Sequence, residues 1–214
     1  MLLLREPSDE RVRRFLDAQR SLAFSYREVG ASRGEAPAGY GVNHHRGRLG
    51  TGPQAFARAV EAMNHWKMYE TGWTRLCWPE APISEGTIVG VVGRHLGFRS
   101  LNACRIVYVQ EDEEPSLRRR YGFAVGTLPG HVEQGEERFT VEWQEADDAV
   151  YYELSSFSRP AHPLVRAARP LASRIQNSPS TPYKACQKPS TVHHRKPESA
   201  GEACRKRSPK GAAC

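Results

Sequence analysis

His131 stands in the turn Pro129-Gly130-His131, five and six residues before the carboxylates Glu136 and Glu137. An imidazole near a carboxylate can move a proton, so His131 and Glu137 are the catalytic candidates, for hydrolysis or isomerisation. The plain alternative is a solvated or capping turn histidine, and the spacing matches no standard metal motif. Arg105 poses a different problem. Alternation along residues 104 to 110 puts it on one face with Val107 and Val109, and puts Ile106 and Tyr108 on the other. An arginine among valines needs a carboxylate or an anionic ligand, because a charge left buried and unpaired costs about 3 to 5 kcal/mol. Glu137, sharing a face with Phe139, Val141 and Trp143, is the expected partner. The pair reads either as a structural ion pair at a sheet rim or as the polar anchor of a ligand pocket. Arg159, just before Pro160, offers the same choice between an anionic ligand and the edge of the last strand.

Other chemistries find no support. The pairs His44-His45 and His193-His194 are adjacent residues, which is not metal-ligand spacing. No glycine-rich phosphate loop or nucleophile elbow occurs. The five cysteines, Cys77, Cys104, Cys186, Cys204 and Cys214, have neither metal nor redox spacing and suit free thiols in a reducing compartment. No metal and no cofactor is expected.

The elements that must position these residues follow from hydrophobic period. Residues 9 to 20 place Val12, Phe15, Leu16 and Gln19 on one helical stripe behind an acidic first turn. Residues 27 to 39 gather Gly30, Gly34, Pro37 and Gly39 and read as a loop, followed by a strand through Tyr40 to Leu49. A second helix opens at Thr51-Gly52-Pro53, with Phe56, Ala59, Val60, Met63 and Trp66 as its buried stripe. From Trp73 the period drops to about two. Six strands follow, over residues 73 to 78, 87 to 94, 104 to 110, 120 to 128, 136 to 143 and 149 to 157. The turns between them are Pro79 to Gly86, Gly97 to Asn102, Glu111 to Pro115, Pro129 to Gly135 and Asp147-Asp148. Such short links require antiparallel neighbours. A last helix is read over 161 to 176, with Pro163 and Pro170 within it.

The bulk numbers agree with one domain. The 214 residues are 39% hydrophobic, enough for a single core. The net charge of +7 would suggest an anionic partner if it belonged to a folded face. Residues 177 to 214 hold eight Lys and Arg against two Glu, a charge of +6, which leaves +1 for the rest. Five prolines and few large apolar residues make that segment read as a disordered basic tail after a domain of residues 1 to 176. Nucleic acid would be met only through Arg205-Lys206-Arg207-Ser208-Pro209-Lys210, electrostatically and without aromatic stacking, and that string could also act as a nuclear localisation segment. Arg118-Arg119-Arg120 and the acids Glu111 to Glu114 are expected to offset each other across a loop. The apolar start Met1 to Leu4 stops at Arg5-Glu6, short of a signal-peptide core, and no stretch is long enough to span a bilayer. A cytoplasmic protein is expected.

Several strings resemble an uncharacterised family, domain of unknown function nineteen-ninety. They are Phe24-Ser25-Tyr26, Pro37-Ala38-Gly39-Tyr40, Leu49-Gly50-Thr51-Gly52, Arg105-Ile106-Val107-Tyr108-Val109, Tyr121-Gly122-Phe123-Ala124-Val125-Gly126-Thr127-Leu128-Pro129-Gly130-His131, Gly135-Glu136-Glu137-Arg138-Phe139 and Phe157-Ser158-Arg159-Pro160. The resemblance covers roughly residues 9 to 176. It implies an α+β, START-like or Bet v 1-like helix-grip fold, in which a curved antiparallel sheet closes over a C-terminal helix and leaves an apolar cavity. One departure is that the family's last helix runs further, whereas Asn177-Ser178-Pro179 ends it here. The function this implies is non-enzymatic binding of a small hydrophobic or amphipathic ligand. Tyr108, Tyr121, Phe123, Phe139 and Trp143 are the expected lining, and Arg105, Glu137 and Arg159 the polar contacts. The alternatives are an enzyme using His131 and Glu137 in that cavity, and an interaction protein acting through its tail.

Overall fold

The chain must travel from one edge of a sheet to the other before it can begin its meander, and that journey organises the molecule. The computed structural model describes residues 1–95, 97–114 and 118–161. The helix read over 161 to 176 and the tail from 177 lie outside the described residues.

The elements are β1 (Leu2–Leu3), α1 (Asp9–Asp17), a 3-10 turn (Ala31–Arg33), β2 (Gly41–Thr51), α2 (Gly52–Asn64), a second 3-10 turn (Lys67–Tyr69), β3 (Thr74–Cys77), β4 (Ile88–His95), β5 (Phe98–Glu114), β6 (Arg118–Thr127), β7 (Glu133–Gln144) and β8 (Ala149–Pro160). They build one curled antiparallel half-barrel in the order β2-β8-β7-β6-β5-β4-β3, with β1 paired to β5. Strands β3 to β8 form a hairpin meander, and β2 pairs with the last strand. Consequently α2 and the turn after it carry the chain from the β2 edge to the β3 edge across one face, here called the inner face.

Two cores result. On the inner face α2 presents Ala55, Ala59, Ala62 and Met63, and Trp66 follows, against Cys104, Ile106, Phe123, Val125, Phe139, Val141, Val150, Tyr152 and Leu154. The helix is turned slightly from the stripe expected: Phe56 and Val60 are half-buried at its margin, because small alanines let the backbone approach the sheet. On the outer face α1 lays Val12 and Leu16 over Cys77, Val92, Leu101 and Ala103. Its expected stripe is present, and Ser8 caps it by accepting from the Arg11 amide at 3.3 Å.

Three readings of β5 need correction. Of the turn expected at 97 to 102 only Gly97 is turn; the strand starts at Phe98. Ser100 and Asn102 look like loop residues, yet they are buried in the strand, with the Asn102 amide donating to Ser100 at 3.0 Å and to the Val91 carbonyl at 3.3 Å. Likewise Glu111 to Glu114 are strand, not turn, in register with Arg118 to Tyr121, so the acidic and basic runs meet across a ladder. The third correction matters most. A β-bulge between Ile106 and Tyr108 inserts Val107 as an extra residue. Ile106 aligns with Val125 on the inner face, but Tyr108 aligns with Ala124 on the outer one. The simple alternation through 104 to 110 therefore fails.

Candidate functional site

The register sorts every candidate onto a face. One row runs Asn43, Ser156, Glu137, Val125, Ile106 on the inner side, and the next runs His45, Leu154, Phe139, Phe123, Val109. Tyr121 and Trp143 follow on the same side further along. Tyr121, Phe123 and Glu137 therefore share the inner face with Phe139 and Trp143, with Phe123 beside Phe139 and with Tyr121 and Trp143 four and six residues along the strands from the Glu137 row. Arg105, Tyr108 and Arg159 are not: all three belong to the outer face.

The expected Arg105–Glu137 pair does not form. Arg105 lies in the outer row with Gly126 and Glu136, and its Nη2 donates to the carbonyls of Gln19 at 3.2 Å and Arg20 at 2.9 Å. These belong to the residues just beyond α1, so the guanidinium is compensated by carbonyl oxygens of the turn that ends the helix, where the negative end of its dipole lies, rather than by a carboxylate. It also stands 5.3 Å from the Phe24 ring centre. Tyr108 shares a hydrogen bond of 2.8 Å with the Ser32 hydroxyl and carries the Arg33 guanidinium 3.7 Å above its ring. Arg159 donates to Gln134 at 3.2 Å and covers Tyr40 at 4.7 Å.

Glu136 and Glu137 are neighbours in sequence with opposite surroundings. Glu136, 2% exposed, points outward and accepts from the Tyr26 hydroxyl at 2.7 Å, the Gly30 amide at 2.8 Å, and both the amide and the hydroxyl of Ser32. It fastens the 24–34 segment to the sheet. This role was missed from the sequence; the signal was a glutamate pair in which alternation must send one member to each face.

Glu137 points inward, in one row with Ser156 and Val125. Burial, then the charge of Glu133, push its carboxyl up to about 7, and Tyr69 pulls the other way. Glu137 keeps partial exposure, as do Ser156 beside it and His45 one row on. Phe123, Phe139 and Val125 next to them are sealed. Tyr69 also borders a cleft of about 440 Å³ toward β3, shared with Trp66 and Trp78. Both tryptophans hold left-handed backbone, at φ 55° and 61°, a conformation bulky residues seldom adopt.

His131 stays apart from this arrangement. Its Nδ1 accepts from the Glu133 amide at 2.9 Å, inside its own turn. Burial lowers its pKa to about 4, with the N-terminal ammonium acting in the same direction. No hydrogen bond or ion pair joins it to Glu137 among the described residues. The Cys104 thiol, on the inner face, is pushed up to about 12 by burial and by Glu137, which suppresses the reactive thiolate. Among the described residues no group of three or more His, Cys, Asp or Glu could hold a metal, and no helix is long and apolar enough to cross a membrane.

Comparison with known proteins adds relatives of the same length class. The chain is 36% identical over 195 residues to a UPF0548 protein of Deinococcus radiodurans, covering 86% of this chain and 95% of that one. It is 31% identical over 193 residues to a UPF0548 protein of Dictyostelium discoideum, covering 83% and 89% respectively. Among solved structures it is similar to Ara h 8.0201, at 13% identity, a TM-score of 0.41 and coverage of 70% of this chain and 96% of that one. It is also similar to human STARD10, at 12% identity, a TM-score of 0.37 and coverage of 85% and 80%. Residues 25–185 match the family described as Domain of unknown function (DUF1990), and the chain belongs to that family.

Proposed function

We propose that this protein binds a small hydrophobic or amphipathic ligand on the inner face of its sheet, without catalysing a reaction. The observation that carries the reading is the composition of that face. Sealed aromatic and aliphatic side chains, Phe123, Val125, Phe139 and Leu154, adjoin a row of partly exposed polar groups centred on Glu137. An apolar floor with a few convergent polar groups is what small-molecule sites consist of. Tyr121, whose hydroxyl donates to Asn64 at 2.5 Å, ties the floor to the end of α2. The catalytic alternative needs an imidazole at Glu137, and the His131 ring is engaged elsewhere.

The test is titration of the full chain with a fluorescent apolar probe. Saturable one-to-one binding is expected, lost in Ser156→Trp, whose indole fills the space beside Glu137, and kept in Tyr108→Ala on the outer face. Circular dichroism confirms that both variants fold. Binding that survives Ser156→Trp, or that vanishes in Tyr108→Ala alone, places the site elsewhere.

A further inference from the structure

The cleft of about 440 Å³ opens beside β3, an edge strand of the sheet, and neither Glu137 nor Ser156 borders it. Its volume lies in the range of small-molecule sites. Four parts of the chain build it: the start of α1, the turn after α2, β3 and the Pro79-Glu80 loop. Trp66, Tyr69 and Trp78 give it aromatic walls. Trp66 and Tyr69 are buried in the inner core, and the Trp66 Nε1 is fixed by donating to the Ala81 carbonyl at 2.8 Å. Trp78 is half-buried and already takes one flat cation, the Arg13 guanidinium, 4.9 Å from its ring centre. The charges at the rim are mostly acidic and unevenly answered. Arg75 is held by Glu6 at 2.9 Å, Glu70 is held by Lys67 at 2.8 Å, and His65 is exposed. Asp9, in the first turn of α1, and Glu80, in the loop after β3, make no ion pair among the described residues. Arg75 acts on Asp9 only from beyond ion-pair distance. Two carboxylates from separate elements thus border one aromatic-walled space with their acceptor sites left to solvent.

We propose that this cleft is a second site, separate from the inner-face reading above, for a small flat organic cation: an amidinium or guanidinium on an aromatic body. Its N–H groups donate to Asp9 and Glu80 while its plane stacks on Trp78. The planar fork of such a cation matches carboxylate oxygens, and its delocalised charge is hydrated weakly enough to lie against an indole. An anion of the same shape would meet Asp9, Glu70 and Glu80 as like charges. A neutral molecule of that shape would gain the stacking without the charge.

The experiment is calorimetric titration of the full chain at pH 7 and low salt with three probes of one shape: benzamidine, benzamide and benzoate. Benzamidine is expected to bind at least about fivefold more tightly than benzamide, with benzoate the weakest of the three. Asp9 and Glu80 are exposed, so Asp9→Asn and Glu80→Gln should fold, as circular dichroism checks, and each should weaken benzamidine by about threefold. Ser156→Trp on the inner face should leave benzamidine binding unchanged. Equal binding of benzamidine and benzamide, preference for benzoate, or no saturable binding of benzamidine overturns the proposal. So does a benzamidine preference that survives the Asp9→Asn, Glu80→Gln double variant, or one that Ser156→Trp abolishes. The inner-face reading stands or falls with the apolar probe alone.

Discussion

Glu142 and Glu137 lie on the same strand, face opposite ways and titrate in opposite directions. Burial alone would raise Glu142, but hydrogen bonds from Arg120, Gln144 and Arg46 overcome it and hold the carboxyl at about 2. A folded pKa below the ordinary 4.5 contributes stability that is present above pH 4.5 and lost as pH falls through 2. Urea unfolding of Glu142→Gln against the unmodified protein should show a deficit of up to about 3 kcal/mol at pH 6 that closes by pH 2. For Glu137 the sign reverses. Its folded pKa lies above 4.5, so its contribution is complete below pH 4.5 and is lost as pH rises through about 7. Glu137→Gln should therefore gain on the unmodified protein between pH 4.5 and 8, ending more stable by a few kcal/mol. A variant that is less stable at pH 8 would mean that a cation already answers Glu137. A carboxylate that costs stability at neutral pH fits a site kept for binding rather than for folding.

At the scale of elements, the 24–34 segment and β5 decide what each face can do. The segment is clamped by Glu136 and lies flat because Gly126 has no side chain. A Cβ there would run into the Tyr26 hydroxyl and come within 2.9 Å of the Phe24 ring. Gly126→Ala should lose about 2 kcal/mol in urea unfolding while leaving probe binding on the inner face intact, because the clash is on the outer side. The strands, both helices and the alternation of β6, β7 and β8 were legible from period and turn chemistry, since each of those strands has one face that must be apolar. Consequently Tyr121, Phe123, Glu137, Phe139 and Trp143 could be placed on one face. Tyr108 and Arg105 could not be placed correctly. The bulge at Val107 leaves no mark in composition, and one inserted residue reverses every side chain beyond it. Arg105 was misassigned for a different reason, because its true partners are backbone carbonyls after α1, which no side-chain pattern announces. The early start of β5 was hidden by Ser100 and Asn102, polar residues whose hydrogen bonds let them be buried.

For the whole molecule, one sheet separates two unlike faces. The outer face spends its charges internally: Arg46, Arg120 and Arg138 against Glu142 and Glu153, and Glu136 against the 24–34 segment. Its groups answer one another. The inner face keeps an aromatic floor and Glu137, a carboxylate without a cation among the described residues. The apolar ligand should thus act on one face only, and amide chemical shifts of the isotopically labelled full chain, titrated with the apolar probe, test this most directly. The account predicts shifts concentrated on residues 123–125, 137–141 and 154–156, with residues 24–34 unmoved. Shifts confined to residues 24–34 and to Arg105, or spread evenly over the sheet, would contradict it.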